Sequence, residues 1–353
     1  MLADLKHATA LDPHFYTDPH WAAFEREHIF RKSWQYVGHV GELAAKGDHV
    51  VTEIAGQPLI VVAQADGSIS VFHNVCRHRA GPLATCDGKG ASRLRCLYHG
   101  WQYGLDGQLL AAPEMAEAEG FDKGQIALPE VAVTVWQGLV FVALDPATPP
   151  FECVFAGITE RIAPQDASSL KFFRHDSYSV ACNWKVYVDN YAEGYHLPYV
   201  HPALTQAVDY SDYQSELSRY HSLQVSPITD PNGPYGNGTA YYYLVYPNLM
   251  LNFVPGRLQL NRVLPTGQDG CCVDFVWFYA DGADVAKRAG ADIAFTDQVQ
   301  AEDAAICQHV QRGLTSGSYL PGRLSPKREA GLWHFQNLLR GDYANGNYDW
   351  AQS

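Results

Sequence analysis

The feature that most constrains this chain is a pair of short segments that each carry one cysteine and one histidine. The first pair is Cys76 and His78, with one residue between them, and the second is Cys96 and His99, with two. Seventeen residues separate the two pairs. Each pair follows a β-type run, and neighbouring glycines and a proline supply tight turns that can direct two side chains toward one point. The spacing therefore predicts a metal site built from two thiolates and two imidazoles.

Two kinds of metal centre use two cysteines and two histidines. A structural zinc site accepts this set, but zinc ligands usually come as Cys–Cys and His–His pairs. Mixed pairs are typical of a Rieske [2Fe–2S] centre, in which two cysteines bind one iron and two histidines bind the other. We therefore favour a [2Fe–2S] cluster held by Cys76, His78, Cys96 and His99. A zinc site, or ordinary buried cysteines with surface histidines, are the alternatives.

A second group of metal-ligand residues lies near the middle of the chain. His196 and His201 are five residues apart, which on an ideal helix places their side chains about 140° apart. The two imidazoles can therefore face one metal only if the helix ends between them, and Pro198 predicts such a break. Glu193 precedes His196 by three residues and lies on nearly the same helix face, within hydrogen-bonding reach.

A non-heme Fe(II) site of the two-histidine type needs one carboxylate and open coordination positions. We looked for that carboxylate in a predicted helix over about residues 290–313. Asp303 falls on an apolar stripe of this helix, where an acid is costly unless it is paired or bound to metal, whereas Asp297 and Glu302 lie off the stripe. The stripe consists of Val299, Ile306 and Val310. Asp303 is therefore the predicted third ligand.

The order of β-type runs and helical patterns predicts an α+β protein: an N-terminal all-β domain, then a C-terminal α+β domain with an antiparallel sheet flanked by helices. We predict an N-terminal helical segment over 1–33, the all-β domain over 34–148 and the second domain over 149–353. The proline-rich segment 145–150 marks the boundary, because proline interrupts both helices and central strands. Helices are predicted over 18–33, 152–163, 184–197 and about 290–313.

Charge and hydropathy argue against several kinds of function. The chain carries 25 Lys and Arg against 38 Asp and Glu, a formal net charge of −13, which argues against nucleic acid or an anionic membrane as the main partner. No run of about 18 apolar residues predicts a membrane span. The N-terminus lacks the apolar stretch of a secretory signal, and the eight cysteines are too thinly spread for a disulfide scaffold. The expected location is therefore the reducing cytoplasm.

The motifs resemble those of a known family. The chain resembles the N-terminal domain of the Rieske non-heme iron oxygenases in the runs NVCRHRAGPL and RCLYHGWQYGLDG. It also resembles that family in its carboxylate-x-Tyr-His-x4-His motif, here EGYHLPYVH, and in the late segment EDAAICQHVQRGL. Many members have glycine where this chain has Ala80, a departure that should affect loop shape rather than ligation. The motifs are nearest to the carnitine, glycine betaine and choline monooxygenase type.

The resemblance assigns roles to individual residues. It implies that the cluster ligands are Cys76, His78, Cys96 and His99, and that the mononuclear iron ligands are His196, His201 and Asp303. Glu193 takes the position that links an iron-ligand histidine to the cluster histidine of a neighbouring subunit. Many aromatic-ring dioxygenases have aspartate there, one residue further along, whereas carnitine- and betaine-type members also use glutamate. Asn190 and Tyr195, in the same segment, are further candidate catalytic residues.

The resemblance also implies a terminal oxygenase component that uses O₂ and Fe(II). A separate flavin or iron–sulfur reductase passes electrons from NAD(P)H to the cluster, and the subunits form a homotrimer. We expect hydroxylation of a small organic substrate, such as N-demethylation or C-hydroxylation of a quaternary ammonium compound. A ring-hydroxylating dioxygenase and a non-catalytic Rieske electron carrier are the alternatives.

Aromatic residues on predicted strands bear on the substrate. Six side chains can line a pocket that holds a cation by cation–π attraction or stacks on a planar ring, or they can form sheet core, which is the commoner role. They are Tyr241, Tyr242, Tyr243, Tyr246, Phe253 and Trp277. The acidic balance of the chain and the glutamate at position 193 favour a cationic N-methyl compound.

Overall fold

The chain forms two compact units. The structure is a computed structural model that describes residues 4–230, 233, 235–282 and 284–346. One unit, here called the β unit, consists of residues 30–148, and the other, the α+β unit, combines residues 1–29 with 149–353. The first three and last seven residues of the predicted domains lie outside the described residues.

The β unit, all of whose residues are described, is built from small antiparallel sheets. Its strands are β1 (Gln35–His39), β2 (His49–Ile54), β3 (Gln57–Ala63), β4 (Ile69–His73), β5 (Leu94–Arg95), β6 (Gln102–Tyr103), β7 (Leu109–Ala111), β8 (Ala132–Trp136) and β9 (Leu139–Ala143). They form three three-stranded sheets with the orders β1-β9-β8, β2-β3-β4 and β5-β6-β7. The prediction of an N-terminal all-β domain is confirmed.

Strand β3 lies between two apolar cores of the β unit. Its side chains alternate in direction, as strand geometry requires. Ile60 and Val62 enter the core that also contains Cys76 and Cys96. The intervening Val61 enters the other core. The two cysteines are therefore anchored by the same packing that holds the sheet together.

A seven-stranded antiparallel sheet dominates the α+β unit. Its strands are β10 (Lys171–Val180), β11 (Gln214–Leu217), β12 (His221–Pro227), β13 (Thr239–Val245), β14 (Leu249–Val254), β15 (Arg257–Pro265) and β16 (Cys271–Tyr279). The order is β10-β16-β15-β14-β13-β12-β11, and every neighbouring pair is antiparallel. The predicted antiparallel sheet is confirmed.

Helices of the α+β unit differ from the predicted ones mainly in where they end. They are α1 (His14–Thr17), α2 (His20–His28), α3 (Phe151–Val154), α4 (Ile158–Ile162), α5 (Trp184–Tyr191), α6 (Leu197–Val200), α7 (Pro202–Ala207), α8 (Val285–Thr315) and α9 (Ala330–Asn345). The helix predicted over 152–163 is two short helices, because Gly157 adopts a left-handed conformation between them (φ 79°). The helix predicted over 18–33 is shorter, since α2 ends at His28.

The buried face of α8 is not the predicted apolar stripe. Val310, which the stripe placed inside, is 45% exposed. The buried positions follow helical spacing and include several polar side chains: Ala289, Asp292, Ile293, Thr296, Gln300, Cys307 and Gln311. Asp303 lies between Gln300 and Cys307 on this same face. Asp303 therefore faces inward, and polar side chains share its face of the helix.

A buried carboxyl group on α5 links the N-terminal segment to α9. The hydroxyl of Tyr16 donates to Oδ2 of Asp189 at 2.6 Å, and Nε2 of Gln336 donates to Oδ1 at 3.2 Å. Burial raises the pKa of Asp189 to about 7. The folded protein therefore holds a proton on this group that the unfolded chain, with the ordinary pKa near 3.8, releases.

Replacing Asp189 with asparagine should change how stability depends on pH. In the native chain the contribution of Asp189 is complete below its unfolded pKa and is lost as the pH rises through about 7. Asp189→Asn keeps a neutral, isosteric group, so its thermal midpoint should exceed that of the native protein more at pH 8 than at pH 5. Differential scanning calorimetry at both pH values measures this. Parallel pH dependence of the two proteins would contradict it.

None of the described helices combines the length and the apolarity that crossing a membrane requires.

Candidate active site and cluster site

The two Cys/His segments of the β unit fold into loops with the same hydrogen-bond pattern. In the first loop the N–H of Ala80 donates to the carbonyl of Cys76 at 3.0 Å. In the second, the N–H of Gly100 donates to the carbonyl of Cys96 at 3.1 Å. Ala80 and Gly100 are both left-handed, with φ of 57° and 73°. This turn reverses the chain directly after each ligand pair and brings the two loops together.

The four side chains of these loops fit a cluster with two thiolate and two imidazole ligands. Both cysteines are 2% exposed, and the rings of His78 and His99 lie 4.7 Å apart between centroids. Nδ1 of His78 is buried without a hydrogen-bond partner, which is expected of an atom that has an iron as its partner. The Cys96 thiolate position accepts a hydrogen bond from the N–H of Tyr98 at 3.4 Å.

The loops also approach each other too closely for a side chain at Gly81. A Cβ atom at this position would lie 3.0 Å from Sγ of Cys96 and 2.8 Å from Cβ of Tyr98. Any larger residue would therefore push the second ligand loop away from the first. This explains, in physical terms, why the chain has glycine between the first ligand pair and Pro82.

Ala80 carries a backbone strain that glycine would relieve. A left-handed alanine costs roughly 1–2 kcal/mol, and glycine loses roughly 0.5–1 kcal/mol more chain entropy on folding. Ala80→Gly should therefore stabilise the β unit slightly and slow the release of the cluster on heating, followed by loss of visible absorbance. Ala55→Gly, in the β2–β3 turn (φ 50°), is the matched control: it relieves the same kind of strain in the same unit away from the cluster loops, so release should be slower in Ala80→Gly than in Ala55→Gly. Faster release from Ala80→Gly would contradict the expectation.

In the α+β unit, His196, His201 and Asp303 converge on one point. One ligand atom from each lies within 4.8 Å of the others. Nε2 of His201 is 2.9 Å from Oδ1 of Asp303, and Nε2 of His196 is 3.8 Å from the same oxygen. His201 is 1% exposed, and the other two side chains are each 16% exposed. Two imidazoles and one carboxylate in this arrangement match the donor set of a mononuclear Fe(II) site.

Two further carboxylates orient the histidines. Nδ1 of His196 lies 2.7 Å from Oε1 of Glu193, and Nδ1 of His201 lies 2.7 Å from Oε2 of Glu302. These contacts place the proton of each ring on Nδ1 and turn Nε2 toward the ligand position. The outer contact of His201 was not predicted, because Glu302 lies off the predicted stripe. Its position directly before Asp303 was the only signal in the sequence.

The carboxylates around His201 indicate whether a metal ion fits between this residue and Asp303. Burial lowers the pKa of His201, but the hydrogen bonds and charges of Asp303 and Glu302 outweigh it, so the net pKa is raised. Both ring nitrogens face carboxylate oxygens, and a neutral imidazole has only one N–H to donate. A cation between Nε2 and the carboxylate of Asp303 satisfies the second contact. The residues therefore fit a divalent ion.

The chain between the two histidines does not break where Pro198 predicted. Helix α5 already ends at Tyr191. Pro198 instead occupies the first turn of α6, where proline is tolerated because its missing N–H has no helical partner. His196 precedes α6, and His201 follows it with non-helical backbone (φ −121°, ψ 72°). The two imidazoles meet because they flank a single short turn.

Asn190 and Tyr195 occupy different positions relative to the trio. Nδ2 of Asn190 donates to Oδ1 of Asp303 at 2.6 Å. Tyr195 is 46% exposed, and its backbone N–H donates to the carboxylate of Glu193. Asn190 therefore contacts a ligand directly, whereas Tyr195 contributes a backbone group that holds Glu193 in place.

A cavity of about 100 Å³ adjoins the trio and lies among α5, α8 and the sheet. We call it the aromatic cavity. Its walls include the three trio residues and six aromatic side chains: Tyr187, Tyr191, Tyr213, Tyr235, Tyr242 and Phe275. Of the six strand aromatics considered from the sequence, only Tyr242 is among the described lining residues. Neighbours on a strand point to opposite faces, so Tyr241 and Tyr243 cannot accompany it.

A second, larger cavity of about 540 Å³ also reaches the site. Asn190, Glu193 and His196 line both cavities. Glu193 therefore stands between the aromatic cavity and a second opening in the same unit. This position allows its carboxylate to contact His196 on one side and an approaching group on the other.

Comparison with known proteins agrees with this geometry. Residues 33–132 match the Rieske [2Fe-2S] domain family, and residues 167–344 match the ring hydroxylating alpha subunit (catalytic domain) family. Choline monooxygenase of Beta vulgaris, named as chloroplastic, is 33% identical over 336 residues, which cover 92% of this chain and 75% of that protein. The carnitine monooxygenase oxygenase subunit of Escherichia coli (strain K12) is 29% identical over 353 residues, covering 96% of this chain and 94% of that subunit.

A solved structure is similar over nearly the whole chain. It is a quaternary ammonium Rieske monooxygenase, described as giving insights into carnitine oxidation by gut microbiota and inter-subunit electron transfer. The TM-score is 0.88 at 26% identity, and the match covers 96% of each chain. The similarity therefore extends across both units.

The chain belongs to the Rieske non-heme iron oxygenases, as the sequence motifs predicted. It is an oxidoreductase with a Rieske [2Fe–2S] domain and a catalytic domain for mononuclear iron. As an oxygenase component, it acts on a small molecule and needs a reductase partner. A zinc site or a stand-alone electron carrier does not account for these two family matches.

Proposed function

We propose that the protein hydroxylates a small quaternary ammonium compound, by N-demethylation or by hydroxylation of a carbon next to the nitrogen. The observation that carries the proposal is the aromatic cavity itself, which joins six aromatic rings to the predicted iron ligands. Aromatic faces attract a quaternary ammonium group by roughly 0.5–2 kcal/mol per contact. The names of the relatives, which act on choline and carnitine, support the same class of substrate.

We propose the metal ligands residue by residue. Cys76, His78, Cys96 and His99 would hold the [2Fe–2S] cluster, and His196, His201 and Asp303 would hold the mononuclear iron. The cluster would supply two electrons, one at a time, and the iron site would supply the oxidising chemistry of monooxygenation, in which one oxygen atom of O₂ enters a C–H bond and the other, with the two electrons and two protons, becomes water. Nδ1 of His78, which is buried without a hydrogen-bond partner, supports the cluster assignment. The approach of Nε2 of His196 and of His201 to Oδ1 of Asp303 supports the iron site.

The chain's own residues would orient the substrate and keep water out. Tyrosine rings would hold the ammonium group against the wall of the aromatic cavity while a methyl or adjacent carbon faces the trio. Asn190 would fix the carboxylate of Asp303 through its hydrogen bond. The aromatic rings of the wall would displace water from around the bound substrate and so limit competing reaction with water.

We further propose a homotrimer in which the β unit of one subunit serves the iron site of the next. Leu97 and Tyr98, beside the cluster ligands, are 62% and 58% exposed, and on the α+β unit Tyr199 and Leu320 are 80% and 82% exposed. Such apolar surfaces favour burial against another subunit, and a heterologous contact of this kind can close into a ring. Glu193, open to a second cavity, would link His196 to the partner's cluster ligand.

Mixing two inactive variants tests this route. His78→Ala should lose the cluster and His201→Ala should lose the mononuclear iron, so each alone should be inactive. In mixed trimers an intact cluster can face an intact iron site across a subunit contact, and activity should return to a fraction of the native value. Native mass spectrometry verifies mixing. Absence of rescue in demonstrated mixed trimers would contradict transfer between subunits.

The substrate class is tested by product analysis. With NAD(P)H and a matching reductase, quaternary ammonium compounds should give formaldehyde or an aldehyde product in step with oxygen consumption. Formation of a cis-dihydrodiol from an aromatic acid, with no product from ammonium compounds, would replace the proposal with ring dihydroxylation.

We also propose NADH as the electron source. We propose a reducing compartment such as the cytoplasm, which the eight unpaired cysteines support.

A further inference from the structure

We propose that the substrate is a small cation with a neutral polar end, such as a trimethylammonium alcohol, and that carboxylated trimethylammonium compounds are disfavoured. This inference rests on the proposed function and defines its substrate more closely. The features behind it are the charges and the hydrogen-bonding groups of the aromatic cavity. The relatives do not decide the question, because their names include both choline and carnitine.

The walls of the aromatic cavity carry negative charge without a basic side chain. Among the described residues that line it, none is lysine or arginine, and two are the acids Glu193 and Asp303. A ferrous ion would add two positive charges, which these acids and the adjoining Glu302 offset with three negative ones. A substrate carboxylate would therefore lose its hydration without gaining a charged partner.

A buried guanidinium near the cavity is already neutralised. The side chain of Arg257 lies over the ring of Tyr235, at 5.0 Å from its centroid. Its Nη1 is paired with Oδ1 of Asp292 at 2.7 Å, and both side chains are 3% exposed. Because Asp292 neutralises it within a buried pair, Arg257 offers no net charge to a carboxylate in the cavity, and Arg257 is not among the described lining residues.

Three of the five tyrosine hydroxyls in the cavity wall are engaged by the protein. Tyr191 donates to Oδ1 of Asn252 at 2.6 Å. Tyr213 donates to Oε1 of Gln224 at 3.2 Å. The hydroxyl of Tyr187 donates to the side-chain oxygen of Gln300. At these three residues the rings, rather than the O–H groups, are the surface offered to a ligand.

Four polar atoms in the cavity wall are buried and have no hydrogen-bond partner. They are the hydroxyl of Tyr242, Oδ1 of Asn261, Oγ1 of Thr296 and Nε2 of Gln300. Thr296 and Gln300 are four residues apart on α8 and share a face, and Tyr242 and Asn261 are on β13 and β15 of the sheet. Together they offer an acceptor, two hydroxyls and an amide donor. A neutral hydroxyl, which both donates and accepts, satisfies this set better than an acceptor-only carboxylate.

The size of the cavity agrees with a small substrate. A water molecule occupies about 10–15 Å³ of such space, so the cavity of about 100 Å³ has room for roughly seven to ten atoms of that size. Choline and glycine betaine are both of this size, so charge and hydrogen bonding, rather than volume, separate them.

Anaerobic titration calorimetry with the metal-loaded protein tests the inference without turnover. The ligands are choline, its uncharged carbon isostere 3,3-dimethylbutan-1-ol, and glycine betaine. Choline should bind at least about tenfold more tightly than either, because the isostere lacks the charge and betaine carries an unpaired carboxylate. Equal or tighter binding of betaine would overturn the inference and leave the proposed function intact. If no trimethylammonium compound binds, the proposed function itself fails.

A second measurement addresses the predicted hydroxyl contact. Thr296→Val removes the hydroxyl at nearly constant volume, and Thr296→Ser keeps it. Thr296→Val should weaken choline binding about fivefold to tenfold but leave tetramethylammonium, which has no hydroxyl, unchanged. Thr296→Ser should bind choline like the native protein. An equal loss for both ligands in Thr296→Val would show a packing effect and overturn the contact.

Discussion

Protein with the His201→Ala substitution is expected to lose its mononuclear iron and, with it, all measurable oxygenation. His201 is the most deeply buried of the three proposed ligands and lies between two carboxylates. Removing the imidazole leaves Asp303 and Glu302 facing each other without the group that separates them, and a site with one histidine no longer binds iron firmly. Metal analysis should show a fall from about three irons per chain to about two.

The [2Fe–2S] cluster should survive this substitution, because its ligands lie in the β unit and His201 lies in the α+β unit. The reduced cluster should therefore keep its EPR signal. Glu302→Gln is the graded control: it retains a hydrogen-bond acceptor at Nδ1 of His201 but removes the charge, and should weaken iron binding roughly tenfold to a hundredfold. Normal iron content in His201→Ala would disprove the assignment of this ligand.

Glu193→Gln is expected to retain both metal sites and lose most turnover. Glutamine can accept the hydrogen bond from Nδ1 of His196 that Oε1 accepts at 2.7 Å, so the ring should keep its orientation. The negative charge is lost, however, and with it the proposed link to a neighbouring subunit. Substitutions of residues that contact a metal ligand typically cost tenfold to a hundredfold, and we expect a loss in turnover at the upper end of that range.

Single-turnover measurements show whether the lost turnover comes from slow reduction of the cluster or from slow electron transfer from the cluster to the iron. In Glu193→Gln, reduction of the cluster should proceed at the native rate, and its reoxidation in the presence of substrate and O₂ should be slow. Asp297→Asn is a suitable control, because this acid lies on α8 and accepts a hydrogen bond from Tyr178 but is not part of the trio. Near-normal coupled activity of Glu193→Gln would exclude the linking role.

The parts of the fold that the sequence predicts well are those where local pattern and packing agree. Alternating β-branched runs gave the antiparallel sheets, since each strand has one face to bury. The long helix α8 was also predicted, from about 290 to 313, and extends from Val285 to Thr315. Because the helix is long, its periodic signal is strong, and the predicted bounds differ from the observed ones only at the two ends.

Local pattern could not identify the buried face of α8. The prediction looked for an apolar stripe, but Thr296 and Gln300 line the aromatic cavity and Val310 is exposed. Polar residues are buried here because they surround a cavity, and a cavity is formed by several distant segments. The inward position of Asp303 was found even so, since the predicted and observed faces overlap at that residue.

The aromatic residues of the cavity wall could likewise be predicted only where they are close together in the sequence. Tyr187 and Tyr191 are four residues apart on α5, directly before Glu193, a spacing that puts both on one helix face. That signal was present in the sequence. Tyr213, Tyr235 and Phe275 come from separate segments, and nothing in their local sequence indicates that they meet. Among the three consecutive tyrosines of β13, alternation turns only Tyr242 toward the cavity.

Helix α8 has a consequence for how substrate preference can change within this family. One continuous helix carries the ligand Asp303, the outer acid Glu302 and the cavity residues Thr296 and Gln300. A substitution that shifts or rotates this helix would displace the metal donor together with the pocket wall. The opposite wall, formed by strands such as β13 and β15, carries no ligand of the trio. Divergence toward new substrates is therefore expected to accumulate on the strands, while the helix stays nearly invariant.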